Sequence, residues 1–325
     1  MANVKTIGIT GICGFMGRHL AEACLKQGYK VLGVDINGAE LAKLAEAGVH
    51  VIEASVLDES AITRFCQGVD VVIHTAAVMK EDGAWSDFRA INVQGTETVA
   101  RLASENGVRG FIHVSSVMVY GYNYPQHVDE DGPLNGENNP YCQTKIESEG
   151  AALKYHQKNR MSVTVVRPGD VYGRGSVPWV LRPLEMLEQR MLILPGRGDG
   201  LMNPIHIDDL VRVYLRIIEQ EHFGDIFNVT DGEPVSFYDY FSRLAKIGGK
   251  KAPRRLPYPL LVVAFLFVPK SIATRSVIDF VRRPYAYSNE RVRAKLGFKP
   301  RVRLQDGLAD IELWLNGDPS GQSKG

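Results

Sequence analysis

Charge of one sign is missing from this chain. Across 325 residues, 38 lysines and arginines stand against 37 aspartates and glutamates, a formal net charge of +1. That balance gives no electrostatic reason to expect a nucleic-acid partner, which favours a basic surface. Cysteine is scarce. Cys13, Cys24, Cys66 and Cys142 have neither the spacing of a zinc site nor that of a disulfide framework, so no metal is expected and a reducing compartment is the simpler reading. Long apolar runs are absent too: the longest, Leu260 to Val268, sits between Pro259 and Pro269. A membrane span needs ~20 such residues, so this run does not cross. No basic-then-apolar leader precedes the first strand, and no internal repeat or low-complexity block appears. A cytoplasmic protein is expected. Apolar residues make up 45% of the chain and charged residues 23%, which excludes a disordered chain and allows a substantial core.

What is present alternates. Strand-like apolar runs fall at Thr6–Ile9, Tyr29–Val34, His50–Ile52, Val69–His74, Gly110–Val114 and Val163–Val166. Between them lie stretches of helical period at Gly17–Gln27, Gly38–Glu46, Ala61–Gln67, Gln94–Asn106 and Thr144–Asn159. Apolar strands alternating with helices predict an α/β fold, a Rossmann-type doubly wound parallel sheet covered on both faces. After Gly173 the rhythm breaks into short links punctuated by proline and glycine, with brief strands at Ile205–Ile207 and Asp225–Val229 and a helix at Phe237–Ile247. The expected division is a nucleotide-binding domain over residues 1–173, with a return segment at about 205–230. A smaller substrate lobe over 174–315 follows, and the polar tail at 316–325 is expected to fray.

The first strand runs into Thr10-Gly11-Ile12-Cys13-Gly14-Phe15-Met16-Gly17 and then directly into a helical pattern. Glycines there allow a tight turn, close approach of backbone to a pyrophosphate, and close packing of helix on strand. The helix N-terminus adds unpaired N–H groups and a positive dipole end. A glycine trio alone is only a Gly-rich turn; its place between strand and helix makes it a dinucleotide loop. Asp35 ends the second strand, where a carboxylate accepts hydrogen bonds from ribose hydroxyls and repels a 2′-phosphate. Ile36 and Asn37 follow it, with no cation, so NAD is expected over NADP.

Tyr141 and Lys145 are one helical turn apart and share a face. A free tyrosine, with a pKa of ~10, is a poor base at neutral pH. A nearby ammonium favours the phenolate, and a fall of about three units would suit general acid–base work. By itself Tyr-x-x-x-Lys usually marks an ordinary surface helix. Here the strand Gly110–Val114 also ends in Ser115-Ser116, and strand ends are where a doubly wound sheet presents its chemistry.

With these residues in place the chain resembles the extended short-chain dehydrogenase/reductase family from Lys5 to about Leu315. The motifs that carry the resemblance are Thr10–Gly17, His74-Thr75-Ala76-Ala77, Asn92-Val93-Gln94-Gly95-Thr96, Ser115–Gly121, Tyr141–Lys145 and Arg167-Pro168-Gly169-Asp170-Val171-Tyr172-Gly173. The resemblance implies that Tyr141 is the general acid/base and that Lys145 holds the nicotinamide ribose and lowers the tyrosine pKa. It makes Ser116 the hydroxyl bonded to the reacting oxygen. It also implies cofactor contacts from Gly11, Gly14, Phe15, Met16, Gly17 and Asp35, and from Thr75, Ala76 and Ala77. Pro168, Gly169 and Val171 lie near the carboxamide. Asn92 is implied as a structural residue. Where the family often has Gly-Asp beside the adenine this chain has Ala54-Ser55, so Ser55 and Val56 are the expected contacts there.

The fold does not choose the substrate. Sugar 4,6-dehydratases of the family place an Asp-Glu pair after the active-site hydroxyl; here Val117 and Met118 stand there and transfer no protons. Nucleotide-sugar epimerases carry an arginine that pairs with the diphosphate, at a position where this chain has Met202, and Arg283-Pro284 only partly matches their later Arg-Pro-x-Asp pattern. Arg174, Arg182, Arg197 or Arg275 could substitute. The C-terminal half, with Asp225–Pro234, an aromatic-rich helix and the run Leu260–Val268, is similar to 3β-hydroxysteroid dehydrogenase-like enzymes. An apolar wall suits an apolar substrate, each buried methylene contributing ~0.8 kcal/mol. The expectation is an NAD-dependent oxidoreductase interconverting a secondary alcohol and a ketone on a sterol-like or 3-hydroxyacyl substrate; the alternative is a nucleotide-sugar epimerase. Leu260–Val268 equally reads as a buried helix, and membrane contact would need a basic polar face beside it. The family further implies a homodimer through Gln94–Asn106 and Thr144–Asn159. His206 reads as a scaffold histidine, Asp208 and Asp209 as caps of a helix beginning near Leu210, Trp179 and Met186 as core, and Tyr120 and Tyr172 as packing or pocket.

Overall fold

The computed structural model describes residues 4–79, 84–157, 160–260 and 275–317. Most of the apolar run Leu260–Val268, all but the first residues of the tail, and residues 158 and 159 lie outside the described residues; the helix expected at Thr144–Asn159 ends earlier, at Leu153. The strands are β1 (Thr6–Thr10), β2 (Lys30–Asp35), β3 (His50–Glu53), β4 (Val71–His74), β5 (Gly110–Val114), β6 (Ser162–Pro168), β7 (Asp170–Tyr172), β8 (Ile193–Pro195), β9 (Leu201–Met202), β10 (Pro204–His206), β11 (Ile226–Val229), β12 (Val235–Ser236) and β13 (Arg254–Leu256). Seven of them form one sheet in the order β11-β6-β5-β4-β1-β2-β3, every neighbouring pair parallel. The winding reverses between β1 and β4, and in such sheets the crevice beyond the strand ends at that reversal takes the ligand.

Alternation along the strands assigns the two faces. Ile7, Ile9, Val31 and Ile73 point to one side, where the helices Phe15–Lys26 and Ile207–Glu219 cover them with Leu20, Cys24, Leu210 and Tyr214. Val34, Val72 and Phe111 point to the other, under Ile62 and Phe65 of the helix Glu59–Cys66 and Val99 and Ala103 of Thr96–Glu105. A third apolar group, with Val180, Leu184, Phe237, Tyr240, Phe241 and Ile311, is the core of the residues that follow the parallel sheet's main run.

Several helices begin earlier than their periodicity suggests, by two residues at Phe15 and Glu59 and by more elsewhere. The helix expected at Thr144 starts at Pro140, because Asn139 caps it: the Asn139 side-chain oxygen Oδ1 accepts from the amides of Tyr141 (2.9 Å) and Cys142 (3.2 Å). The helix expected at Gln94 is entered through helical turns from Trp85 to Gly95. Asp208 and Asp209 do not cap the helix near Leu210. It starts at Ile207, and the His206 imidazole accepts from the Asp208 amide at 3.3 Å. The Asp209 carboxylate turns instead to the amides of Arg301 and Val302.

Candidate active site

The glycine loop lies where β1 ends against the chain leaving β4. Gly11 takes a positive φ of 66°, and a Cβ on it would stand 2.7 Å from the backbone N and Cα of Ala76. A Cβ on Gly17 would stand 2.4 Å from the Gly11 carbonyl oxygen. These two contacts let the helix Phe15–Lys26 and the Thr75–Ala77 segment close on the loop. Gly14 is the residue before that helix; no side chain caps it and its first turn carries no acidic residue. The positive helix end at Phe15 and Met16 is therefore neither capped nor neutralised by the helix's own side chains. Such a cradle fits the pyrophosphate of a dinucleotide.

Asp35 has a second task that its strand-end position alone does not reveal. One carboxylate oxygen accepts from the Cys13 amide at 2.9 Å, and the other from the amides of Ile36 (2.8 Å) and Asn37 (3.2 Å). The carboxylate expected to meet the ribose thus ties the glycine loop to β2. Ser55 accepts from the Leu57 amide at 3.2 Å, and Val56 is buried beside it. The Thr75 hydroxyl donates to the Thr10 carbonyl at 2.7 Å, pinning Thr75, Ala76 and Ala77 to β1. Asn92 exchanges hydrogen bonds with the Val78 backbone at 2.7 and 3.1 Å and donates to the Thr144 hydroxyl at 3.1 Å, a structural clamp between this segment and the Tyr141 helix.

Ser116 follows β5, and Tyr141 and Lys145 rise from the first turns of the helix Pro140–Leu153. The structure brings all three together. Ser116 shares a hydrogen bond with the Tyr141 phenol and also accepts from the Met118 amide at 3.1 Å. The Lys145 ammonium donates to the Val114 carbonyl at 2.8 Å and lies 5.9 Å from the centre of the Tyr141 ring. The expected fall in the phenol pKa is not what the chain's own groups produce. Burial pushes Tyr141 up to about 12, and only the Ser116 hydrogen bond pulls it down. Lys145 is drawn down to about 8 by burial, with the Glu149 carboxylate acting against that fall. Pro168, Gly169 and Val171 line the ends of β6 and β7, where the Gly169 amide donates to the Val229 carbonyl at 2.9 Å.

Two buried ion pairs support these residues, and sequence reasoning missed both of them. Arg167 grips Glu149 with two bonds of 2.8 and 2.7 Å, and also donates to the Tyr120 hydroxyl and the Glu130 carbonyl. Ser115, next to Ser116, donates to the same Glu149 at 2.5 Å. An arginine inside an otherwise apolar strand and a glutamate one turn after Lys145 were the available signals. The second pair joins Arg283 to Asp170. Arg283 also donates to the Leu201 carbonyl at 3.0 Å and lies 4.1 Å from the centre of the Phe280 ring. Tyr120 and Tyr172 are both fully buried, which makes them packing. His206 is buried against Tyr172, ring centres 5.1 Å apart, and burial lowers its pKa. Arg174 pairs with Asp310 at 3.0 Å, Arg197 is exposed, and Met202 is buried.

A profile of the NAD dependent epimerase/dehydratase family matches residues 7–230, well over half of the chain. The chain belongs to that family, whose members of this kind are extended short-chain dehydrogenase/reductases, and it is an enzyme of an NAD-dependent class. Among solved structures it is similar to the dTDP-glucose 4,6-dehydratase DesIV of Streptomyces venezuelae, determined with NAD bound. The TM-score is 0.80 at 25% identity, covering 96% of this chain and 97% of that one. Among curated relatives it is 25% identical to a 4-hydroxy-2-methyl-3-oxo-4-farnesyl-3,4-dihydroquinoline-1-oxide ketoreductase of Stigmatella aurantiaca, over 97% of each chain. It is also 25% identical to the decarboxylating sterol-4-alpha-carboxylate 3-dehydrogenase of Bos taurus, over 94% of this chain and 90% of the relative. No helix among the described residues is long and apolar enough to cross a membrane.

Proposed function

We propose that this enzyme interconverts a secondary alcohol and a ketone on a largely apolar substrate, with NAD as its redox partner. The observation that carries the reading is Arg283. Locked to Asp170 and covered by Phe280, it is engaged inside the protein and is not offered to a diphosphate. Around it lie apolar and aromatic groups. Phe280 packs with Phe237 at 5.7 Å, Trp179 at 6.0 Å and Tyr122 at 6.3 Å, and the Tyr122 hydroxyl accepts from Asn139, the cap of the Tyr141 helix, at 3.3 Å. Val117 and Met118 follow Ser116 where a dehydratase needs an acid and a base. A farnesyl-bearing ketone and a sterol carboxylate, named for two relatives, have the same apolar character.

Bound NAD supplies the hydride acceptor or donor. Gly11, Gly14, Phe15, Met16 and Gly17 would hold its pyrophosphate, Asp35 the adenosine ribose, and Ser55 and Val56 the adenine side. Thr75, Ala76 and Ala77 would border the pyrophosphate, with Pro168, Gly169 and Val171 at the carboxamide end. Tyr141 would give its proton to the oxygen of a ketone undergoing reduction, or take the hydroxyl proton of an alcohol undergoing oxidation. Ser116 would donate a hydrogen bond to that same oxygen. Lys145 would hold the nicotinamide ribose and keep positive charge beside the phenol. A phenol that stays protonated at neutral pH suits the reductive direction.

A second reading, a nucleotide-sugar epimerase, draws support from the exposed Arg197 and from the likeness to two nucleotide-sugar enzymes, DesIV and the UDP-glucuronic acid 4-epimerase of Bacillus cereus. The deciding experiment incubates the protein with NADH and a medium-chain 3-oxo ester, and separately with NAD and UDP-glucose. NADH consumption with the ester supports the reductase. Isomerised sugar without net NADH change replaces that reading with the epimerase.

The division into a nucleotide-binding domain over 1–173 with its 205–230 return and a substrate lobe over 174–315 belongs to the same proposal. β11 within the main sheet supports the return segment. A homodimer through the helices Thr96–Glu105 and Pro140–Leu153 is also proposed; light scattering giving a monomer at micromolar concentration would count against it. Four buried, unpaired cysteines support a cytoplasmic setting.

A further inference from the structure

Charge that is balanced over the whole chain is separated locally. From Tyr240 to Ile278 the sequence contains no aspartate and no glutamate, while lysines and arginines recur. The structure turns part of this stretch into a surface. β13 pairs in parallel with β8, setting Arg254 opposite Ile193 and Arg255 opposite Leu194, and both arginines are exposed. Lys251 precedes them in the open, and Pro257 to Leu260 follow them in the open. Leu260 is 58% exposed and Tyr258 38%, and the Arg282 guanidinium lies over the Tyr258 ring at 4.5 Å. Met191, 41% exposed, stands beside Leu192, whose carbonyl accepts from the Arg254 amide at 3.2 Å.

Large apolar side chains projecting among cations are the pattern of a protein surface that rests on a charged lipid interface. We propose that the face formed by Lys251, Arg254 and Arg255 with Tyr258 and Leu260 docks on an anionic phospholipid bilayer. Charge complementarity favours this occupant over a second copy, since a two-fold contact would set Arg254 and Arg255 against the same cations. The exposed leucine and methionine favour a bilayer over a nucleic acid, whose backbone offers them nothing apolar. One helix joins this surface to the aromatic group beside the cap of the Tyr141 helix. The helix Arg275–Arg282 that stacks Arg282 on Tyr258 also carries Phe280 into the aromatic group reaching Tyr122. Docking needs no particular substrate, so it stands or falls apart from the proposed reaction.

The test is co-sedimentation of the full chain with phosphatidylcholine vesicles, with and without phosphatidylserine. Binding is expected with the anionic vesicles alone at low salt, and release as salt is raised. Each cation near such a surface strengthens partitioning about fivefold, so Arg254→Glu with Arg255→Glu should weaken it by more than about tenfold. Tyr258→Ser with Leu260→Ser, which leaves the charge alone, should weaken it as well. Retained NADH binding shows that each variant is folded. The proposal is overturned if anionic vesicles do not carry the protein down, or if neutral and anionic vesicles carry it equally. It is also overturned if light scattering shows a self-associated protein that the double charge reversal dissociates, because the face then belongs to a second copy.

Discussion

The Lys145 ammonium lies 5.9 Å from the centre of the Tyr141 ring and spends a hydrogen bond on the Val114 carbonyl, 2.8 Å away at the strand end that leads to Ser116. One lysine therefore fixes the spacing between the serine strand and the tyrosine helix while keeping positive charge near the phenol. Burial acts in opposite senses on the two groups, pushing the phenol up to about 12 and the ammonium down to about 8.

Removing the phenol oxygen should remove the chemistry and little else. Tyr141→Phe is expected to lower turnover of the ester by two to four powers of ten, roughly the worth of a positioned acid or base. NADH affinity, followed by fluorescence, should change little. Near-wild-type turnover would defeat the role given to Tyr141.

The lysine can be followed without any substrate. In the cofactor-free protein, competitive acetylation of Lys145 against pH should titrate near 8, well below the ordinary 10.5. The Glu149 carboxylate favours the ammonium, so Glu149→Gln should move that midpoint lower still. Stability carries the same sign. A lysine whose folded pKa is depressed opposes folding in full below about 8, and the penalty fades as pH rises through 10.5, above which neither state is charged. A midpoint close to 10.5 would show that Lys145 is not buried as described.

Glu149 and Arg167 have side-chain exposures of only 4% and 2%, so cutting one partner leaves the other charged and dry. Glu149→Ala is expected to cost about 3–5 kcal/mol by urea unfolding, whereas Glu149→Leu combined with Arg167→Met should recover much of that loss. Equal destabilisation in the single and the double variant would mean that packing, not the stranded charge, sets the cost.

A methyl group at position 17 has nowhere to go. Gly17→Ala would press on the Gly11 carbonyl at 2.4 Å, so the helix must move off the loop. A loss of about 1–3 kcal/mol in stability is expected, together with weakened NADH binding. Gly28→Ala is the comparison: unlike Gly17 it has a positive φ, which strains an alanine, but a Cβ there meets nothing within 4 Å, so stability falls while NADH binding stays. Unchanged NADH affinity in Gly17→Ala would show that the loop does not carry the cofactor.

Much of this arrangement is legible in the sequence. The glycine loop and the Tyr141–Lys145 turn are local patterns, so strand, turn and helix periods in adjacent residues suffice to reveal them. The helix Phe237–Ile247 matches its expected bounds for the same reason. Helix starts were less legible at Pro140 and Ile207, where a cap settles the boundary and the apolar period has not yet begun.

By itself the sequence determined the alternation of strands and helices, the loop that can cradle a dinucleotide, and which hydroxyl, phenol and ammonium belong to one turn-and-strand pattern. Tertiary structure alone decided that Asp35 holds Cys13, that Glu149 holds Ser115 and Arg167, and that Arg283 is closed onto Asp170. It also decided the direction in which Tyr141 titrates. The reason is physical: periodicity is written in neighbouring residues, whereas the dielectric around a phenol and the partner of a buried charge depend on which distant segments the fold brings against them.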